Sequence, residues 1–148
     1  MLLLLFNVGD EIHGINAATV VEVLPLVDIK KSNGAPRGVV GTFNYRGAFV
    51  PVIDLSDLLL GRPVSARLST RLILARNSIP GRTGLVGIIA ENATRTLRCE
   101  PSDLVPPGLV TQAAPFLGSL VKAPTGFVQT VDVVKLAAAI LPSMLLAS

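Results

Sequence analysis

The side chains that could do chemistry in this chain are few. His13 is the only histidine and Cys99 the only cysteine among 148 residues. Nucleophilic catalysis needs a nucleophile, a base and a group that orients the base. His13 beside Asp10 or Glu11 is the nearest approach to such a set, and a histidine in a strand is more often a packing or surface residue. Cys99 follows Arg98, whose charge would favour a thiolate. It has no second thiol and no neighbouring histidine, so an inert buried thiol is the better reading. A lone cysteine cannot form an internal disulfide and suits a reducing cytoplasm. One His and one Cys do not give the paired ligand spacing of a zinc site. Asp54 and Asp57 could pair as carboxylates, but a helix cap and a solvated helix residue account for both. No G-x-S-x-G elbow, P-loop or G-x-G-x-x-G occurs. The residues thus predict no catalysis, no cofactor and no metal.

The informative stretch is Val39-Val40-Gly41-Thr42-Phe43-Asn44-Tyr45-Arg46-Gly47-Ala48-Phe49-Val50-Pro51-Val52-Ile53-Asp54-Leu55. An apolar strand enters a tight turn at Asn44–Gly47, where Asn and Gly tolerate positive φ. A second apolar strand leaves it. Arg46 at the tip has five donors, no acceptor and a permanent charge. It is either a solvated turn residue or a guanidinium set to meet a carboxylate. Pro51 lacks a backbone donor, so its strand is predicted to be an edge or bulged there.

The elements that must position this turn are short strands punctuated by Gly and Pro. Residues 2–8 and 12–16 read as a hairpin across Gly9-Asp10-Glu11. A short helical turn follows, then a strand over Val20–Leu26 and a loop at Asn33–Pro36. Val39–Asn44 and Ala48–Asp54 flank the Arg46 turn. Asp54 or Ser56 is placed to cap a short helix, Asp57–Leu60, which Gly61 ends. Strands follow at Thr70–Arg76, Leu85–Ala90, Thr94–Cys99 and Phe127–Val131, with a polar turn at 77–83 centred on Pro80-Gly81. A Pro-rich loop runs from Pro101 to Gly108, and a helix over Val133–Leu141 closes the chain. Many short strands with few helices predict all-β barrels. Residues 14–24 and 87–97 echo each other weakly, sharing Gly, Ile and Leu at matching places. A duplicated small barrel and the generic likeness of two hairpin units both remain open.

Composition raises a question of its own. Half the residues are hydrophobic and 16% are charged, and mean hydropathy is +0.61. A soluble domain usually carries about a quarter charged residues, so the excess needs a destination. The opening Met1–Phe6 run and the stretch over 136–147 are both far shorter than the ~20 residues that span a bilayer. The first also lacks the flanks of a signal peptide. The net charge of +3 is spread over scattered arginines. A basic stripe with interleaved aromatics is missing, which disfavours a nucleic-acid-binding small β-barrel, the alternative reading.

Gly9-Asp10-Glu11, Gly14-Ile15, Val20-Val21-Glu22-Val23, Pro36, Gly41, Asn44-Tyr45-Arg46-Gly47 and Val50-Pro51-Val52-Ile53-Asp54-Leu55 together resemble the CheW-like domain of bacterial chemosensory systems. The Asn-x-Arg-Gly turn followed by Val-Pro-Val-Ile-Asp-Leu carries most of the likeness. Thr70–Leu74, Gly87–Glu91, Pro115–Gly118 and Asp132–Leu136 follow in the expected order. The resemblance implies one CheW-like domain over residues 1–148, built as two five-stranded SH3-like β-barrels sharing a hydrophobic seam, with short helices. Sub-barrel one is expected over about 15–75 and sub-barrel two over about 70–148, with the N-terminal strand available to complete it. The length is that expected of a free-standing adaptor rather than of the kinases that carry the same domain.

The resemblance further implies a non-catalytic scaffold that couples the cytoplasmic tip of a methyl-accepting receptor to the regulatory domain of a CheA-type histidine kinase. Such a protein is cytoplasmic, is recruited to receptor arrays and does not insert into the membrane. Val20, Glu22 and Val23 match a region the family uses for partners, as do Asn44, Arg46 and Gly47. Leu85 and Ile88 are candidates for the kinase side. The apolar Leu24-Pro25-Leu26-Val27, the missing polar N-terminal tail and Ala48-Phe49 after the turn resemble chemotaxis-related members of alternative pathways, such as surface sensing.

Overall fold

A computed structural model describes residues 1–26, 28–77, 84–105, 114–124 and 126–141. Eleven strands are found among them: β1 (Leu2–Val8), β2 (Glu11–Asn16), β3 (Val20–Pro25), β4 (Lys30–Lys31), β5 (Val39–Tyr45), β6 (Ala48–Asp54), β7 (Thr70–Asn77), β8 (Gly84–Arg98), β9 (Leu104–Val105), β10 (Leu117–Ala123) and β11 (Gly126–Val131). Helix α1 spans Leu55–Leu60 and helix α2 spans Val133–Ile140. Short 3₁₀ turns cover Ala17–Thr19 and Pro101–Asp103.

The long strand β8 organises the chain. Its first half pairs with β7 over Gly84–Glu91 and, in parallel, with β6 over Gly87–Ile89. Its second half pairs with β1, from Glu91 opposite Asn7 to Arg98 opposite Leu2. One barrel therefore consists of β3, β7, β8, β6 and β5, with the two-residue β4 at its edge. The other consists of β8, β1, β2, β11 and β10, with the two-residue β9 at its edge. These are the two five-stranded SH3-like barrels expected from the sequence. Asn92, with φ 55, sits where β8 passes from one to the other, and its amide donates to the carbonyl of Ser69 at 3.1 Å.

Alternation along the shared strands fills three cores. Leu72 and Leu74 of β7 join Phe43, Val50, Val52 and Ile89 inside the first barrel. Leu3 and Leu5 of β1 join Cys99, Val121 and Val128 inside the second. The opposite faces of these strands carry Leu4, Phe6, Ile73, Ala75, Ile88 and Ala90, which meet Leu136 and Ala137 of α2 in the seam. β1, β7 and β8 are thus buried on both faces, a setting that selects continuous apolar runs. The opening leucine run of the chain is one such strand.

Local signals explain both helices. The Asp54 carboxylate accepts from the Asp57 amide at 3.2 Å and caps α1. Gly61 ends that helix with φ 73, a left-handed C-cap. Asp132 caps α2 by accepting from the Lys135 amide at 3.0 Å.

Three details differ from the sequence expectation. The strands expected at 85–90 and 94–99 are one continuous β8, because an αL residue at Asn92 turns the strand without ending its pairing. β10 was not expected; Gly118 and Ser119 dilute its strand signal, and pairing with β11 supplies what propensity lacks. β4 and β9 are too short for any pattern to reveal. The turn at Pro80-Gly81, residues 106–108 of the Pro-rich loop and the end of the 136–147 stretch lie outside the described residues.

Candidate functional site

The Asn44–Gly47 turn joins β5 to β6 through a two-residue loop, with Tyr45 paired to Ala48. Arg46 and Gly47 have φ 51 and φ 88. Two successive positive φ values make the type I′ geometry that matches strand twist. The sequence reading assigned the left-handed conformation to Asn and Gly, but Arg46 adopts it in place of Asn44. Asn44 instead folds its side chain over the turn, its Oδ1 accepting from the Gly47 amide at 2.9 Å. A β-carbon at φ 51 is mildly disfavoured, and that Asn44 bond helps hold Arg46 there.

Tyr45 links this turn to β3. Its hydroxyl donates to Glu22 Oε2 at 2.7 Å, although β3 and β5 share no backbone ladder. The Arg46 guanidinium carbon lies 5.2 Å from the Tyr45 ring centre, over its face, a cation–π distance. The hydrogen bond to Glu22 raises the Tyr45 pKa above its ordinary value, and the Arg46 charge opposes that rise. Asn44, Arg46, Gly47 and Phe49 are all exposed, with Phe49 at 74%. Pro51 lies one residue before β6 gains β8 as its second neighbour at Val52, so at Pro51 the strand is an edge, as its missing donor required.

Of the residues singled out on β3, Glu22 reaches the turn. Val20 and Val23 are half-buried and pack on the seam. Leu85 is half-buried against the core of the first barrel. Ile88 is fully buried in the seam, so its side chain supports the scaffold and offers a partner no surface. Sequence reasoning passed over Tyr45 as a site residue. The available signal was its position inside the turn as the sole tyrosine of the chain.

The groups considered for catalysis stand apart from this surface. His13 is buried, stacks on Phe6 with ring centres 6.0 Å apart and has Nδ1 3.3 Å from the Glu11 carbonyl. Burial lowers its pKa. Cys99 is a buried free thiol in the second barrel. Asp54 is committed to capping, and its second oxygen accepts from the Val64 amide at 2.9 Å. Burial still raises its pKa, against those hydrogen bonds. Among the described residues, no group of three or more His, Cys, Asp or Glu is placed to hold a metal ion. Nor is any described helix long and apolar enough to cross a membrane.

The turn thus presents an exposed cation and an exposed aromatic, tied through Tyr45 to the neighbouring strand β3. Known proteins share the family and the fold of this chain. The CheW-like domain family matches residues 2–140. The chain is 25% identical over 136 residues to the chemotaxis protein CheW of Treponema pallidum, spanning 90% of this chain and 80% of that protein. It is 30% identical over 111 residues to the protein FrzA of Myxococcus xanthus, spanning 74% and 66%. The crystal structure of the scaffolding protein TtCheW from Thermoanaerobacter tengcongensis superposes with a TM-score of 0.77 at 22% identity, covering 88% of this chain and 82% of that one. With two barrels joined along β8 and a family match running almost from end to end, the chain belongs to the CheW-like domain family.

Proposed function

We propose that this protein is a non-catalytic adaptor coupling the cytoplasmic tip of a methyl-accepting chemoreceptor to the regulatory domain of a CheA-type histidine kinase. The observation that carries this reading is the CheW-like match across residues 2–140, which supports a chemosensory scaffold role. The surface around Arg46 and Glu22 serves as a docking face, and the exposed Phe49 supplies apolar area beside the charge. Leu85 contributes on the kinase side. Interfaces of this kind draw most of their energy from a few anchors, with Arg and aromatics prominent among them. Receptor arrays are multivalent, so weak pairwise contacts suffice. The protein acts in the cytoplasm, recruited to receptors without entering the bilayer.

The test is reconstitution of receptor, kinase and adaptor, with kinase activity as the readout. The wild type should activate the kinase in a receptor-dependent manner. Arg46→Ala should lose about tenfold or more of that activation, as expected for an interface anchor, while its thermal unfolding stays near wild type. Full activation by Arg46→Ala would remove the role given to Arg46. No activation by the wild type would remove the adaptor reading.

A further inference from the structure

The Glu22–Tyr45–Arg46 arrangement crosses a gap that the sheet leaves open. Among the described residues, β3 pairs only with β7, and β5 pairs with β4 and β6. The Tyr45 hydroxyl bond to Glu22 is therefore a side-chain bridge between strands with no shared backbone ladder. The same ring carries the Arg46 guanidinium on its face. One aromatic side chain thus contacts both charged residues of the docking face, one through its hydroxyl and one through its π-face.

We propose that Tyr45 is a positioning residue for docking: its hydroxyl fixes Glu22, its ring fixes Arg46, and together they present β3 and the turn as one preformed surface. The inference rests on the adaptor reading for what the surface binds. The partner segment it fits carries a carboxylate for Arg46 and apolar area for Phe49, because Arg46 already has an aromatic beneath it and offers its donors to an acidic group. Preforming both charges lowers the ordering cost that binding must meet.

The chain has one tyrosine and no tryptophan, so its ultraviolet absorbance titration reads Tyr45 alone. In the wild type that titration should lie above the ordinary tyrosine value, because Glu22 favours the protonated hydroxyl. Glu22→Gln keeps an acceptor but removes the carboxylate charge. It should move the titration down, towards the ordinary tyrosine value. Tyr45→Phe keeps the ring under Arg46 and removes only the hydroxyl.

Binding to a purified receptor cytoplasmic fragment is then measured by calorimetry for all three proteins. Tyr45→Phe should weaken binding about three- to tenfold, the equivalent of the net contribution of one typical hydrogen bond. Its unfolding midpoint should stay close to wild type. Tyr45→Phe binding equal to wild type overturns the positioning role while the adaptor reading stands. An unshifted wild-type titration overturns the Glu22 bridge itself. Absence of binding by the wild type overturns the adaptor reading and the docking role together.

Discussion

β3 and β7 lie side by side and pair over Val20–Pro25 and Arg71–Ala75, yet the chain uses them differently. β7 has neighbours on both sides, β3 and β8, and its residues Leu72 to Ala75 are all buried. Among the described residues β3 has only β7 as a neighbour, and every one of its residues keeps some exposure. Both strands are rich in Val, Ile and Leu. The difference lies in how many layers cover each strand, a property of position in the sheet. An interior strand with two buried faces builds the seam. An edge strand with one covered face leaves Glu22 free to meet Tyr45, and that is where the proposed docking face lies.

The strongest way to break this contrast is to open the seam. Ile73 is fully buried there, opposite Val23 of β3. Ile73→Ala should cost about 3–4 kcal/mol, the transfer term plus a residual cavity, measured as a lower urea midpoint at unchanged slope. A loss under about 1 kcal/mol would mean that the seam collapses around the gap and is less rigid than its packing implies.

A smaller effect separates the buried polar groups from the exposed ones. His13 has a folded pKa below its reference value of 6.5, because burial disfavours the charged ring. The unfolded chain therefore binds the proton first as pH falls. Stability is full above the unfolded pKa and is lost as pH drops through it toward the folded value, with a slope of at most about 1.4 kcal/mol per pH unit. Asp54 has the opposite sign: its raised carboxyl pKa makes ionisation costly in the fold, so protonation favours the native state at lower pH. Urea unfolding of wild type and His13→Gln at about pH 7.5 and about pH 5.5 should show a larger acid loss in the wild type. Equal losses in both proteins would remove His13 as the cause.

The smallest expected change in stability is at the surface. Phe49 is 74% exposed, so Phe49→Ala should alter unfolding by no more than about 0.5 kcal/mol. It should still weaken binding of the receptor fragment, because the ring supplies apolar area beside Arg46. A destabilisation comparable to that of Ile73→Ala would show that Phe49 belongs to the core.

Much of this was legible in the residues. The Asn-Tyr-Arg-Gly turn, the Asp54 cap and the Gly61 stop act over three or four residues, and each stands where local chemistry put it. The two apolar strands flanking the turn were also readable, as was an edge or bulge at Pro51. β10 was not, because Gly118 and Ser119 carry little strand preference and its pairing partners lie elsewhere in the chain. Ile88 looked like a candidate for contact because an apolar strand reads the same whether its second face meets a partner or its own seam.

The echo between residues 14–24 and 87–97 gains a structural meaning on the same grounds. Residues 14–24 lead from β2 of one barrel into β3 of the other, through the Ala17–Thr19 turn. Residues 87–97 make the reverse passage within β8, around Asn92. Both stretches are crossings between barrels.

From sequence alone came the family, the all-β class, the turn with Arg46 at its tip and the short-range caps, since these depend on neighbouring residues and on motif. Sequence also showed that the chain is too apolar for its charge, with no segment long enough to span a bilayer. Only the tertiary structure showed where that apolar excess goes: into strands buried on both faces, where Leu3 and Leu5 fill one core while Leu4 and Phe6 fill another. It alone brought Tyr45 to Glu22 across 23 residues of chain. The physical reason is the same in both cases. Burial on a second face, and contact between strands without a shared ladder, are set by elements distant in sequence, which no local pattern encodes.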